Sequence, residues 1–102
     1  MAKYAVIYEG FRKNTAAPDS AKDLLISHID FLKDMHSRGI LFMCGPLKES
    51  NGMALLIFSA GSLEEAESYV SKDPFIIHKI YPNHRIYEWN EANDSNNWLI
   101  DR

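Results

Sequence analysis

Cysteine is almost missing from this chain: Cys44 stands alone among 102 residues. One thiol closes no internal disulfide and builds no multi-cysteine metal site, so a reducing compartment, the cytoplasm, is the expected setting. There is no run of about 20 apolar residues to span a bilayer. Met1-Ala2-Lys3 leads straight into a strand pattern, without the apolar core of a signal peptide, and no membrane partner is expected. Charge of either sign is also modest, with 11 Lys and Arg against 14 Asp and Glu for a net charge of −3. A chain with pI near 5.7 does not attract a polyanion. Its densest basic pair, Arg12-Lys13, has no aromatics interleaved, so nucleic acid is excluded as a partner. What is present is ordinary for a globular domain: 46% apolar and 25% charged residues, enough to form one core and too little chain for a second cofactor domain.

The apolar residues fall into four strand-like runs and two helical periods. Tyr4 to Tyr8 is β-branched and aromatic, ends before Gly10, and is apolar on both faces. From Asp19 to Arg38, Leu24, Leu25, His28, Phe31, Leu32 and Met35 recur at helical spacing, and Gly39 follows as a C-terminal cap. Ile40 to Cys44 reads as a strand stopped by Gly45-Pro46. The turn signal Asn51-Gly52 leads into Met53 to Phe58, which should pair antiparallel with it. Ser62-Leu63-Glu64-Glu65 has the form of a capping box opening a second helix to about Lys72, with Ala66, Tyr69 and Val70 facing inward. Asp73-Pro74-Phe75 ends that helix, since a residue before proline avoids helical dihedrals. Ile80 to Trp89 supplies the last strand, broken near Pro82-Asn83, with Arg85, Tyr87 and Trp89 on one side and Ile86 on the other.

This order predicts an α+β fold, the ferredoxin-like split βαβ, with two helices over one face of a four-stranded antiparallel sheet. The strands Tyr4 to Tyr8 and Met53 to Phe58 are apolar on both faces, so the second face needs a cover. A second copy packing sheet on sheet supplies one, giving a homodimer. Residues 1–89 form this domain, and 90–102 form a polar tail tipped by Trp98-Leu99-Ile100 that either frays or docks on its own domain or a neighbour.

His28 and Asp73 are the candidate chemical residues. An imidazole exchanges protons near neutral pH but needs a partner to fix its orientation, and a carboxylate does that. Each alone has a bland reading: a satisfied core histidine, and an aspartate that forms a turn before proline. Packing the two helices side by side is what would bring them together. Tyr8, Arg85 and Tyr87 are candidate substrate-lining groups at strand ends, and equally candidates for the dimer interface. Cys44, in an apolar run with no basic neighbour, reads as a buried inert thiol. His36, His78 and His84 share no metal-ligand spacing, so neither metal nor other cofactor is expected.

The strand Tyr4 to Tyr8, His28-Ile29 in the first helix, Gly39 before the strand ending Cys44-Gly45-Pro46, the helix start Ser62-Leu63-Glu64-Glu65-Ala66, and Asp73-Pro74-Phe75 together resemble the YCII (YciI-like) family of the dimeric α+β barrel superfamily. The resemblance spans about residues 3 to 89. It implies a ferredoxin-like protomer that dimerises through its sheet, with His28 and Asp73 as the His-Asp pair in a pocket between helices and sheet. It also implies small-molecule chemistry: dehydrochlorination of a chlorinated hydroxyhydroquinone is one family activity, and related muconolactone isomerases shift protons on lactones. The Arg12 to Pro18 loop and the tail after Trp89 fall outside the pattern. The expectation is a lyase or isomerase acting on a cyclic or aromatic compound by proton transfer. The alternative is a non-catalytic module of the same fold that binds a small ligand or a protein.

Overall fold

The computed structural model describes residues 1–12 and 18–100, with burial and side-chain surroundings in the first helix given from Lys22 onward. The expected loop from Arg12 to Pro18 therefore lies, for residues 13–17, outside the described residues, as does Lys13 of the basic pair. The elements run β1 (Ala2–Glu9), α1 (Pro18–Ser37), β2 (Leu41–Pro46), β3 (Ala54–Ala60), α2 (Leu63–Val70), α3 (Pro74–Ile77) and β4 (Asn83–Trp89), followed by a 3-10 turn at Asp94–Leu99.

The four strands form one antiparallel sheet in the order β2-β3-β1-β4. Strand alternation sends Tyr4, Val6 and Tyr8 to one face, and the register puts Phe58, Leu56 and Ala54 of β3 beside them. All six are buried, and Met35 of α1 and Val70 of α2 complete the core on that face. Burying each such side chain contributes about 1.5 to 3 kcal/mol, so this layer is what holds the helices down. The other face carries Ala5 and Ile7 of β1 beside Leu55 and Ile57 of β3, and Tyr87 and Arg85 of β4. No helix covers it.

Local chemistry adjusts the expected elements in four places. Ser62 caps α2 by accepting from the Glu65 amide at 3.1 Å, but the Glu65 carboxylate reaches past the cap to the Gly61 amide, also at 3.1 Å. The second helix stops at Val70, and Asp73 then opens a further one-turn helix, α3. In that position Pro74 loses nothing, because the first amides of a helix have no partner within it. The last strand starts at Asn83, after Pro82, rather than at Ile80. On α1, Phe31, Leu32 and Met35 pack on the core, whereas Leu25 is exposed.

Past β4 the tail is ordered by its own side chains. Asn93 and Asn96 close a capping box, and the Trp98 indole donates to Asp94 at 2.8 Å. Trp98, Leu99 and Ile100 are exposed, so this tip is not docked on its own domain.

Candidate active site

Asp73 is the only buried charged or polar residue among those described, with no exposed surface. A carboxylate removed from water has to be surrounded by donors, and three are in place. Its Oδ1 accepts the Phe75 amide at 3.0 Å and meets His28 Nδ1 at 2.7 Å; its Oδ2 accepts the Tyr8 hydroxyl at 2.8 Å. Each donor comes from a different element. Tyr8 is delivered by the inward face of β1, His28 by the inward face of α1, and the Phe75 amide by the first turn of α3, which packs against α1.

The bland and chemical readings of Asp73 thus hold together: the residue caps α3 and also binds the imidazole. Because a carboxylate only accepts, Nδ1 of His28 carries the proton in this bond. Nε2 is left as the working nitrogen, a base in the neutral ring and an acid in the charged one. The imidazole is held by its face as well. The Phe75 ring stacks on it at 3.9 Å between centroids and 5° between planes, so the one Asp-Pro-Phe turn fixes both an edge and a face of His28.

His28 borders a cavity of about 100 Å³ between α1 and the sheet, walled by Leu32, the β2 end Cys44-Gly45-Pro46, Ala54, Leu56, Tyr8 and Tyr81. A sealed apolar cavity of about 150 Å³ is enough for benzene. This one is smaller but open on one side, so a single ring entering it would keep an edge outside. A second, shallower cavity of about 240 Å³ adjoins it through the shared walls Pro46 and Tyr81.

Of the other expected site residues, Tyr8 is at the site but spends its hydroxyl on Asp73. Burial, and then the Asp73 charge, push that hydroxyl's pKa far above the ordinary tyrosine range. Arg85 and Tyr87 are not brought to the cavity. They sit on the opposite face of the sheet beside Ile7 and Ala5, and Arg85 pairs there with Glu9 at 2.7 Å. Their own strand alternation requires this, since Ile86 between them faces the helices. Cys44 is corrected from buried to exposed: β2 is an edge strand, and the side chain stands on the cavity rim. Partial burial and then the Asp73 charge raise its thiol pKa, so reactivity is damped. Tyr81 and Phe75 are the residues that sequence reasoning missed at the site. Among the described residues no three His, Cys, Asp or Glu side chains gather as a metal site would require. No helix among them is long and apolar enough to cross a membrane.

Fold and site together define an α+β protein of the split βαβ type, with a carboxylate-anchored histidine beside a one-ring cavity under its first helix. The chain belongs to the YCII-related domain family, whose pattern matches residues 3–90. No curated protein matches it. Among solved structures it is similar to 5-chloro-2-hydroxyhydroquinone dehydrochlorinase (TftG) from Burkholderia phenoliruptrix AC1100, in complex with 2,5-dihydroxybenzoquinone. The two are 20% identical over 92% of this chain and 99% of that one, with a TM-score of 0.66. It is also similar to an antibiotic biosynthesis monooxygenase, 8% identical over 91% of this chain and 100% of that one, with a TM-score of 0.50. At these identities the likeness shows the shared fold.

Proposed function

We propose that this protein is a small-molecule enzyme in which His28 transfers a proton to or from a cyclic or aromatic compound, leading to elimination, such as dehydrochlorination, or to isomerisation. The observation that carries the reading is the 2.7 Å contact between His28 and a fully buried Asp73, which leaves Nε2 for an apolar cavity of single-ring size. Asp73 holds the imidazole in one orientation and stabilises its charged form once the proton arrives. Family membership and the dehydrochlorinase fold support small-molecule chemistry of this kind. A purely structural histidine would be sealed in the core; His28 instead keeps 13% of its side chain exposed and borders the cavity.

The test follows the proton rather than a guessed product. A panel of cyclic enones, lactones and hydroxyquinols, 5-chloro-2-hydroxyhydroquinone among them, is incubated in D2O, and deuterium uptake and chloride release are measured. The wild type should exchange or eliminate with at least one compound, and His28→Ala should be slower by about 10²- to 10⁴-fold, the usual contribution of a positioned acid or base. Full activity in a folded His28→Ala variant would end the assignment.

The same reading includes a homodimer formed by the uncovered sheet face. Ala5, Ile7, Leu55 and Ile57 line its centre, and Tyr87, Met43 and Phe42 are exposed around them. Ile57 is already buried among its strand neighbours, and an isologous pairing would cover the others at once. Sedimentation showing only an 11.7 kDa species at micromolar concentration would refute it.

A further inference from the structure

We propose that Tyr81 is the second chemical group of this site: its hydroxyl donates a hydrogen bond to a ring oxygen of the substrate, where charge collects as His28 Nε2 takes a proton from the neighbouring carbon. The inference rests on the proton-transfer reading above and narrows its substrate class to rings bearing an enolisable carbonyl.

The cavity offers few polar groups. Leu32, Gly45, Pro46, Ala54 and Leu56 give it apolar or backbone walls. Tyr8 is engaged by Asp73 and Cys44 is a poor donor, which leaves His28 and Tyr81. The Tyr81 hydroxyl makes no hydrogen bond to any described residue, yet no side-chain polar atom among them is both buried and unpartnered, so this hydroxyl is not sealed off. Tyr81 shares the cavity wall with His28 and Tyr8, and the Asp73 charge is near enough to act on its hydroxyl. The ring itself is clamped, with centroids 5.0 Å from Tyr8, 5.3 Å from Phe11 and 6.0 Å from Phe75. Its backbone is tied down next door, where the Arg12 amide donates to the Ile80 carbonyl at 2.9 Å. A donor fixed in this way loses little freedom when it binds, which is the condition for stabilising a developing oxyanion. Burial and the nearby carboxylate raise its pKa, so it keeps its proton at neutral pH.

The step balances without a co-reactant. The C–H pair moves into the ring, the carbonyl π pair moves onto oxygen beneath the Tyr81 hydroxyl, and the proton rests on Nε2. Return of that proton to another carbon gives isomerisation; departure of a halide with its electron pair gives elimination.

Tyr81→Phe keeps the aromatic packing and removes only the donor. The probes are 4-nitrophenolate and its methyl isostere 4-nitrotoluene, with occupancy of the cavity read from the slowing of Cys44 alkylation by iodoacetamide. The wild type should be protected by both. In Tyr81→Phe the phenolate should bind about 10- to 100-fold more weakly, the loss expected for a hydrogen bond to a charged acceptor, and the toluene within about threefold of wild type. If both probes protect the wild type and Tyr81→Phe binds the phenolate as well as the wild type does, Tyr81 is not the donor while the His28 reading stands. Absence of protection of the wild type by either probe would overturn the one-ring cavity and the Tyr81 assignment with it.

Discussion

Replacing Asp73 in two ways separates its part in the fold from its part in the chemistry. Asp73→Ala strips three donors of their acceptor: the buried Tyr8 hydroxyl, the Phe75 amide that begins α3, and His28 Nδ1. A buried hydroxyl left unpaired costs about 1 to 3 kcal/mol, and a lost helix cap about 1 kcal/mol. His28 is partly exposed and recovers some hydration. The sum of the first two is about 2 to 4 kcal/mol, a large share of the 5 to 15 kcal/mol typical of a small domain. Asp73→Asn has a different effect. The Phe75 amide and His28 both need an acceptor at the Oδ1 position, so the amide carbonyl must sit there and the NH₂ group replaces Oδ2. The Tyr8 hydroxyl can turn and accept from it. The three contacts are retained in number and the imidazole keeps its tautomer, but the charge is gone and the Tyr8 hydroxyl proton loses its acceptor. Asp73→Asn should therefore cost about 1 to 2 kcal/mol while removing most of the deuterium exchange that depends on a stabilised imidazolium. Urea unfolding at neutral pH measures both, as shifts in midpoint at constant slope. Equal destabilisation by the two variants, or a cost below about 1 kcal/mol for Asp73→Ala, would refute the three-donor account.

Two other perturbations probe the surroundings. Tyr8 holds its proton more tightly in the fold than the ordinary value of 10.0, so its contribution to stability is complete below that pH. Above it the unfolded chain releases a proton that the fold retains, and stability falls as pH rises. Tyr8→Phe should flatten part of this alkaline loss in urea titrations between about pH 9 and 11. The remainder belongs to Tyr4, Tyr69, Tyr81 and Cys44, which are shifted the same way; an unchanged slope would exclude Tyr8 as a contributor. Gly52 has φ of +66°, and a Cβ there would come 2.8 Å from the Phe11 amide nitrogen. Gly52→Ala should lower stability by more than about 1 kcal/mol and loosen Phe11 against Tyr81, seen as a lower melting temperature and broadened aromatic NMR signals.

The elements of the fold could be read from local pattern because each has a period of its own. Tyr4, Val6 and Tyr8 alternate, and Phe31, Leu32 and Met35 follow a helical repeat. The contact between His28 and Asp73 could be inferred only through topology and family resemblance, since neither residue's neighbours in sequence point to the other. Phe75 and Tyr81 were missed for a related reason. Phe75 matters by stacking on His28 from a distant segment, and Tyr81 by lining the same cavity, yet Tyr81 sits just before a proline in a stretch that resembles strand. Cys44 was placed inside because sequence does not reveal that β2 is an edge strand. Arg85 and Tyr87 are different: the alternation that turns Ile86 inward already sends both outward, and strand-end chemistry was weighed above it.

Asp73 Oδ1 serves the backbone of α3 and the ring of His28 with a single atom. A descendant of this protein that had lost its reaction would still need the aspartate in order to fold, and selection for stability alone would keep it. The histidine is under no such obligation. Under the proposed function, then, the letter at position 28 would mark retained activity across related chains, and an intact Asp-Pro-Phe turn would certify only the scaffold.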